Sequence, residues 1–155
     1  MKRTLATLVV ALGLFLVAPA SVQAGGDWND AGIQWMGYDE GLAKAKADKK
    51  PVCLIFFTQW CPHCTNYSKM FHDPKVVEKS KSFVMIRLDS DQNKDKSGMY
   101  KPDGEYIPRT FFVASDGTLA ADLGAPGRTN YKYFYNEADP ASILGGMDAA
   151  LAKLK

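Results

Sequence analysis

The run Pro51-Val52-Cys53-Leu54-Ile55-Phe56-Phe57 is apolar at every position and stops just short of Cys61-Pro62-His63-Cys64. Such a stretch of β-branched and aromatic residues predicts a strand covered on both faces, and so a central strand of a layered sheet. The residues after the cysteines, 65–71, read as helix. The pair therefore stands where a buried strand gives way to a helix N-terminus.

That position has chemical consequences. The first turn of a helix leaves backbone N–H groups unpaired and carries the positive end of the helix dipole, which favours a thiolate at Cys61 and leaves that thiol exposed. Cys64 follows at a spacing that returns to the same helix face, near enough to close a disulfide. Cys61 is the candidate attacking thiol and Cys64 the candidate resolving thiol. A bridge across so short a loop restricts the unfolded chain little, so its purpose is exchange rather than stability. Cys53 is left over from an odd count of three and reads as a small buried hydrophobe. Cys61, His63, Cys64 and His72 lack a second ligand pair at zinc-finger spacing, so neither a metal nor another cofactor is expected.

Met1-Lys2-Arg3, an apolar stretch from Leu5 to Ala18 and the short residues Val22-Gln23-Ala24 form the pattern of a secretory signal peptide. The stretch is shorter than the ~20 apolar residues of a spanning helix, so no stable membrane insertion is expected after cleavage. Residues 1–24 are read as the signal peptide and 25–155 as one domain. Two of the 19 basic residues and none of the 17 acids fall in the leader, so the remainder is neutral with its histidines uncharged. Nothing in that balance favours nucleic acid or an anionic membrane. Export to an oxidising compartment permits stable disulfides.

Residues 38–48 read as a helix with Asp39 as N-cap and Leu42, Ala43 and Ala47 on its apolar face. Asp73-Pro74 restarts or kinks the helix after the cysteines, continuing to residue 81. Residues 83–88 form the next strand, and the polar stretch 89–98 is expected to be an exposed loop. Residues 109–114 and 118–122, joined by Ser115-Asp116-Gly117, read as a β-hairpin. Asp139-Pro140 opens a closing helix whose apolar face carries Ile143, Leu144, Met147, Leu151 and Leu154. This order predicts an α/β fold, a mixed sheet with helices on both faces.

Trp60-Cys61-x-x-Cys64 after a strand, Ile107-Pro108 before a strand and this element order together resemble the thioredoxin superfamily. Asp103-Gly104-Glu105-Tyr106-Ile107-Pro108-Arg109 and Tyr131-Lys132-Tyr133-Phe134-Tyr135 are similar to segments of its small secretory-pathway members, the anterior gradient proteins and their relatives. The resemblance spans residues 33–151. The chain ends in Leu151-Ala152-Lys153-Leu154-Lys155 rather than their retention tetrapeptide, which favours a periplasmic or secreted protein.

The resemblance implies that Pro108 is cis and faces the cysteines, with the Ile107 backbone pairing to an extended client segment. Trp60 and Pro62, bordering the couple, join Ile107 and Pro108 as candidate client contacts, and Trp60 is expected to pack beside the disulfide. The Pro62-His63 dipeptide is similar to that of the oxidising Dsb-type enzymes. There His63 can donate to the Cys61 thiolate or pair with it, stabilising the reduced form and so making a stronger oxidant. Two positions do not follow this pattern. Ile55 stands where thioredoxins carry a buried acid, and Ile107 matches the reductants. Tyr131, Tyr133, Phe134 and Tyr135 are expected mainly to pack in the core, with a partner surface as the alternative.

The expected activity is thiol–disulfide exchange with protein clients, leaning towards oxidase or isomerase, with a separate redox partner protein that the sequence does not identify. A reductase fed by a membrane electron donor and a non-catalytic client-binding module are the alternatives.

Overall fold

Strand β2 (Val52–Phe57) is buried at all of its positions and lies between two neighbours. In this computed structural model, which describes residues 25–154, the predicted leader lies outside the described residues. The sheet runs β1-β3-β2-β4, where β1 is Trp35–Met36, β3 Val84–Asp89 and β4 Arg109–Val113. β3 is parallel to both β1 and β2, and β4 pairs antiparallel with β2, opposing Ile55 to Thr110. The mixed sheet of the sequence reading is therefore present. β1 is an addition, too short for any alternation to mark it.

The strand pleat sends alternate side chains into two cores. Cys53, Ile55 and Phe57 join Met85 and Phe112 on one face, covered by the helices that follow the cysteines and by the C-terminal helix. These are α2 (Pro62–Ser68), continued by a 3-10 turn (Lys69–His72), then α3 (Pro74–Ser80) and finally α5 (Pro140–Leu154). Val52, Leu54, Phe56, Ile86 and Phe111 fill the opposite core with Ala45 of α1 (Tyr38–Asp48). Burying each large apolar side chain here contributes ~1.5–3 kcal/mol.

Asp73 caps α3 as expected, its carboxylate accepting the N–H groups of Lys75 and Val76, and Pro74 takes the first turn, where no N–H is needed. In α1 the reading is corrected twice. Gly37 occupies the N-cap, which puts Asp39 in the first turn, where it still faces the positive helix end. The buried positions are Gly41 and Ala45, with Leu42 partly covered, whereas Ala43 and Ala47 are exposed. Contact with the sheet selects the smallest residues: a Cβ at Gly41 would lie 2.5 Å from Ile86 Cδ1.

Two further expectations fail. Residues 89–98 are not all loop, because Lys94–Met99 form α4. This polar helix is held from outside its own sequence: Asn93 donates to the Asp89 carbonyl and Ser97 accepts from the buried Arg109. The hairpin's second strand shrinks to one bridge, Val113 to Leu119. Ala120 still donates to the Phe112 carbonyl, but further along β4 the Thr110 N–H is taken by the Tyr133 carbonyl at 2.8 Å. The chain around Tyr133 completes an edge that the hairpin was expected to cover.

Candidate functional site

Cys61 is the N-cap of α2, with Pro62 in the first turn. The Cys64 backbone N–H donates to Cys61 Sγ at 3.1 Å, so one of the helix's unpaired donors is turned onto the first sulfur. Cys64 faces inward with Tyr67 and Phe71 and is fully buried. Burial, and next the hydrogen bond of its thiol to Cys61, push the Cys64 thiol well above the ordinary range, against a smaller opposing effect of the Thr58 backbone. Charge is thus strongly disfavoured on the second sulfur, while the first receives a backbone donor.

The exposure expected of Cys61 is not found: the residue is 3% exposed. Its cap geometry folds the side chain back towards Cys64, within a core that includes Ile55 and Tyr67, and Ile107 packs against that core. Cys53 belongs to it too, fully buried one strand away, and burial drives its thiol strongly upwards. It is the small buried hydrophobe that the sequence predicts.

Ile107-Pro108 is a cis peptide, with Pro108 buried and Ile107 half-buried. Trp60 is 70% exposed, and its indole N–H donates to Asp91 Oδ2 at 2.8 Å. His63 Nδ1 lies 3.0 Å from both carboxylate oxygens of Glu137, and its ring meets Phe134 edge-on at 5.7 Å. The partner of Nδ1 is thus a carboxylate that arrives from just before α5.

The aromatic segment divides. Tyr133 and Tyr135 are buried, as core packing predicts, Tyr133 against Phe111 at 4.4 Å and Tyr135 against Phe112 at 6.3 Å. Tyr131 and Phe134 instead line a surface cavity of about 300 Å³ with Ile107 and Tyr106. His72, the remaining histidine, contacts Asp27.

Three residues of this region carry no sequence signal for it. Glu137 is 74 positions from His63 and lies in a polar stretch. Trp28 is buried beside Phe57, Tyr67 and Phe71, ahead of the segment that the resemblance covers. Thr58 touches the pair through its backbone, which any residue possesses. Arg109 did leave a signal, as a lone cation directly before the apolar residues of a strand.

A sequence model described as thioredoxin-like matches residues 34–115, more than half of the chain. The chain belongs to the thioredoxin-like family. It is 37% identical over 130 residues to the human anterior gradient protein 2 homolog, covering 83% of this chain and 71% of that one. Anterior gradient protein 2-B of Xenopus laevis is 35% identical over 131 residues, covering 83% and 76%. Among solved structures, a thioredoxin from Thermus thermophilus superposes with a TM-score of 0.61 at 23% identity, covering 79% of this chain and 89% of that one. A DsbH oxidoreductase gives 0.58 at 20% identity, covering 93% and 96%. These two establish the shared fold, α/β with a mixed sheet.

Proposed function

We propose that the protein is an exported thiol–disulfide oxidoreductase acting on protein clients through Cys61 and Cys64. The observation that carries this reading is the N-cap geometry, in which the Cys64 N–H donates to Cys61 Sγ while the Cys64 thiol stays buried and protonated. In the reducing direction, the Cys61 thiolate attacks a client disulfide, forming a mixed disulfide and releasing one client thiolate. Cys64 then gives up its proton and attacks Cys61 Sγ. The second client thiolate leaves, two electrons have passed to the client, and a Cys61–Cys64 disulfide remains. The oxidising direction is the same sequence reversed. A client strand lying along Ile107 would present its cysteine to Cys61, with Trp60, Pro62 and Pro108 bordering it.

The Pro62-His63 dipeptide favours the oxidase or isomerase direction, since a cationic ring beside the couple stabilises the thiolate. A reductase recharged by a membrane electron donor is the competing direction, left open because Ile107 matches the reductants while Ile55 replaces the buried acid that thioredoxins and disulfide isomerases carry. The couple would then exchange electrons with a partner protein at the same surface. No helix among the described residues is long and apolar enough to cross a membrane. A non-catalytic client-binding module draws support from the near-complete burial of Cys61. Insulin reduction and refolding of a reduced client, each run with Cys61→Ser alongside, test the enzyme reading. Loss of activity in the variant is expected, and equal activity overturns it. Equilibration with glutathione fixes direction: a potential near ~−270 mV overturns the oxidase leaning.

A further inference from the structure

Arg109 is the largest fully buried side chain and is 1% exposed. Its Nη1 donates to the carbonyls of Tyr100 and Gly104, and its Nη2 donates to Ser97 Oγ, all neutral acceptors. The guanidinium also lies over Phe56 at 5.3 Å and Phe111 at 6.0 Å. No carboxylate among the described residues forms an ion pair with it, although the charges of Glu105 and Asp103 act on it, and its Nε has no hydrogen-bond partner among those residues. A buried charge held by neutral acceptors with one donor unmet is costly.

Arg109 lines a cleft of about 320 Å³ beside the cysteine turn, together with Trp60, Ile107, Thr58 and Lys94. Thr58 is 2% exposed and its Oγ1, like Arg109 Nε, is unpartnered. Two buried polar side chains with unmet hydrogen bonds therefore line one cleft. Its lining carries two carboxylates, Asp91 and Glu105, and two cations, Lys94 and Arg109. Glu105 is paired with Lys101 and Asp91 accepts the Trp60 indole N–H, whereas neither Lys94 nor Arg109 forms a salt bridge among the described residues.

We infer that this cleft is a client-selecting subsite that takes the carboxylate of an acidic residue, Asp or Glu, close to the client cysteine. The inference rests on the exchange reading. Ile107, the expected pairing residue for a client strand, forms one wall, and Trp60, next to Cys61, forms another. A client strand seated there carries its flanking side chains over the cleft, where a carboxylate meets Lys94 and Arg109 and gives the Thr58 hydroxyl an acceptor.

The test uses the reduced, full-length protein and blocked peptides whose single cysteine is a mixed disulfide with a chromogenic thiol. Glu or Gln is placed at each flanking position in turn, and the Glu-to-Gln rate ratio is taken within each protein variant. The neutral disulfide 4,4′-dithiodipyridine reports whether exchange occurs at all. For at least one position the wild type is expected to favour Glu by about tenfold, equivalent to ~1.4 kcal/mol. That ratio should fall below about twofold in Lys94→Gln and in Arg109→Met, and should shrink with added salt. Lys94 is exposed, so its variant decides the matter even if Arg109→Met does not fold.

Exchange with dithiodipyridine but a Glu-to-Gln ratio near one at every position overturns the subsite and leaves the oxidoreductase reading intact. A Lys94-dependent preference confined to oxidised glutathione also overturns it, because the carboxylate is then that of a small thiol. Absence of exchange with any disulfide overturns the oxidoreductase reading. The cleft is then judged by tryptophan fluorescence of Cys61→Ser with Ser-for-Cys peptides: about tenfold tighter binding of the Glu peptide supports it, and equal affinity overturns it.

Discussion

His63 Nδ1 lies 3.0 Å from both carboxylate oxygens of Glu137, a contact that joins the turn between the two cysteines to the segment leading into α5. The carboxylate acts on the couple with the opposite sign to a cationic ring, and it contributes to raising the Cys64 thiol. His63→Ala is expected to destabilise the reduced form and move the potential to a more negative value by ~30 mV, equivalent to ~1.4 kcal/mol. Glu137→Gln is expected to move it the other way. Equilibration of each variant with a glutathione buffer measures both, and unchanged potentials would mean that the pair is structural.

Cys53 provides a pH signature. Burial raises its thiol far above the ordinary range, so the folded protein keeps a proton that the unfolded chain releases near pH ~8.5. The associated stability is complete below that pH and is lost as pH rises above it, by up to ~1.4 kcal/mol per pH unit for one thiol. Urea unfolding of the reduced protein at pH 7.5 and 9.5 is expected to show this loss. Cys53→Ala should reduce the slope, whatever it does to the stability at neutral pH.

Gly146 of α5 packs against the buried Tyr135, and a Cβ there would lie 2.5 Å from Tyr135 Cε1. Alanine ordinarily favours a helix over glycine by ~1 kcal/mol. Here a rigid ring stands in the way, and Gly146→Ala is expected to lower stability by ~1–3 kcal/mol in denaturant unfolding. Gly98 of α4 has open space at the same position, so Gly98→Ala is expected to be neutral or stabilising.

Ser97 Oγ accepts from Arg109 Nη2 at 2.5 Å, tying α4 to the start of β4. Ser97→Ala leaves a buried charged donor without its acceptor and is expected to cost ~1–3 kcal/mol. Amide exchange should show α4 opening before the sheet does, because within the helix Ser97 is the one buried residue.

What the sequence made legible follows from pattern strength. β2 declares itself because every residue from Val52 to Phe57 is buried, and α3 because Asp73 and Pro74 supply a cap and a first turn at once. α5 shows through the spacing of Ile143 and Met147. α4 stayed hidden because its stability comes from Arg109, 12 residues beyond Ser97, and not from an apolar stripe of its own. The hairpin failed for a related reason: the edge of β4 is shared with Tyr133, whose carbonyl takes the Thr110 N–H. At the site, the cysteines and Ile107-Pro108 were visible as local motifs. Asp91 and Glu137, the polar partners of Trp60 and His63, were not, since no local spacing reveals them.

The central claim is that Cys61 attacks and Cys64 resolves, and trapping the intermediate tests it most directly. Reduced Cys64→Ser and reduced Cys61→Ser are each mixed with a disulfide-bonded client, quenched with acid and analysed by mass spectrometry. A mixed disulfide mapped to Cys61 should accumulate in Cys64→Ser, with little or none in Cys61→Ser, where the remaining thiols, Cys53 and Cys64, are both buried and raised well above the ordinary range. Equal adducts in both variants, or none in either, would contradict the account.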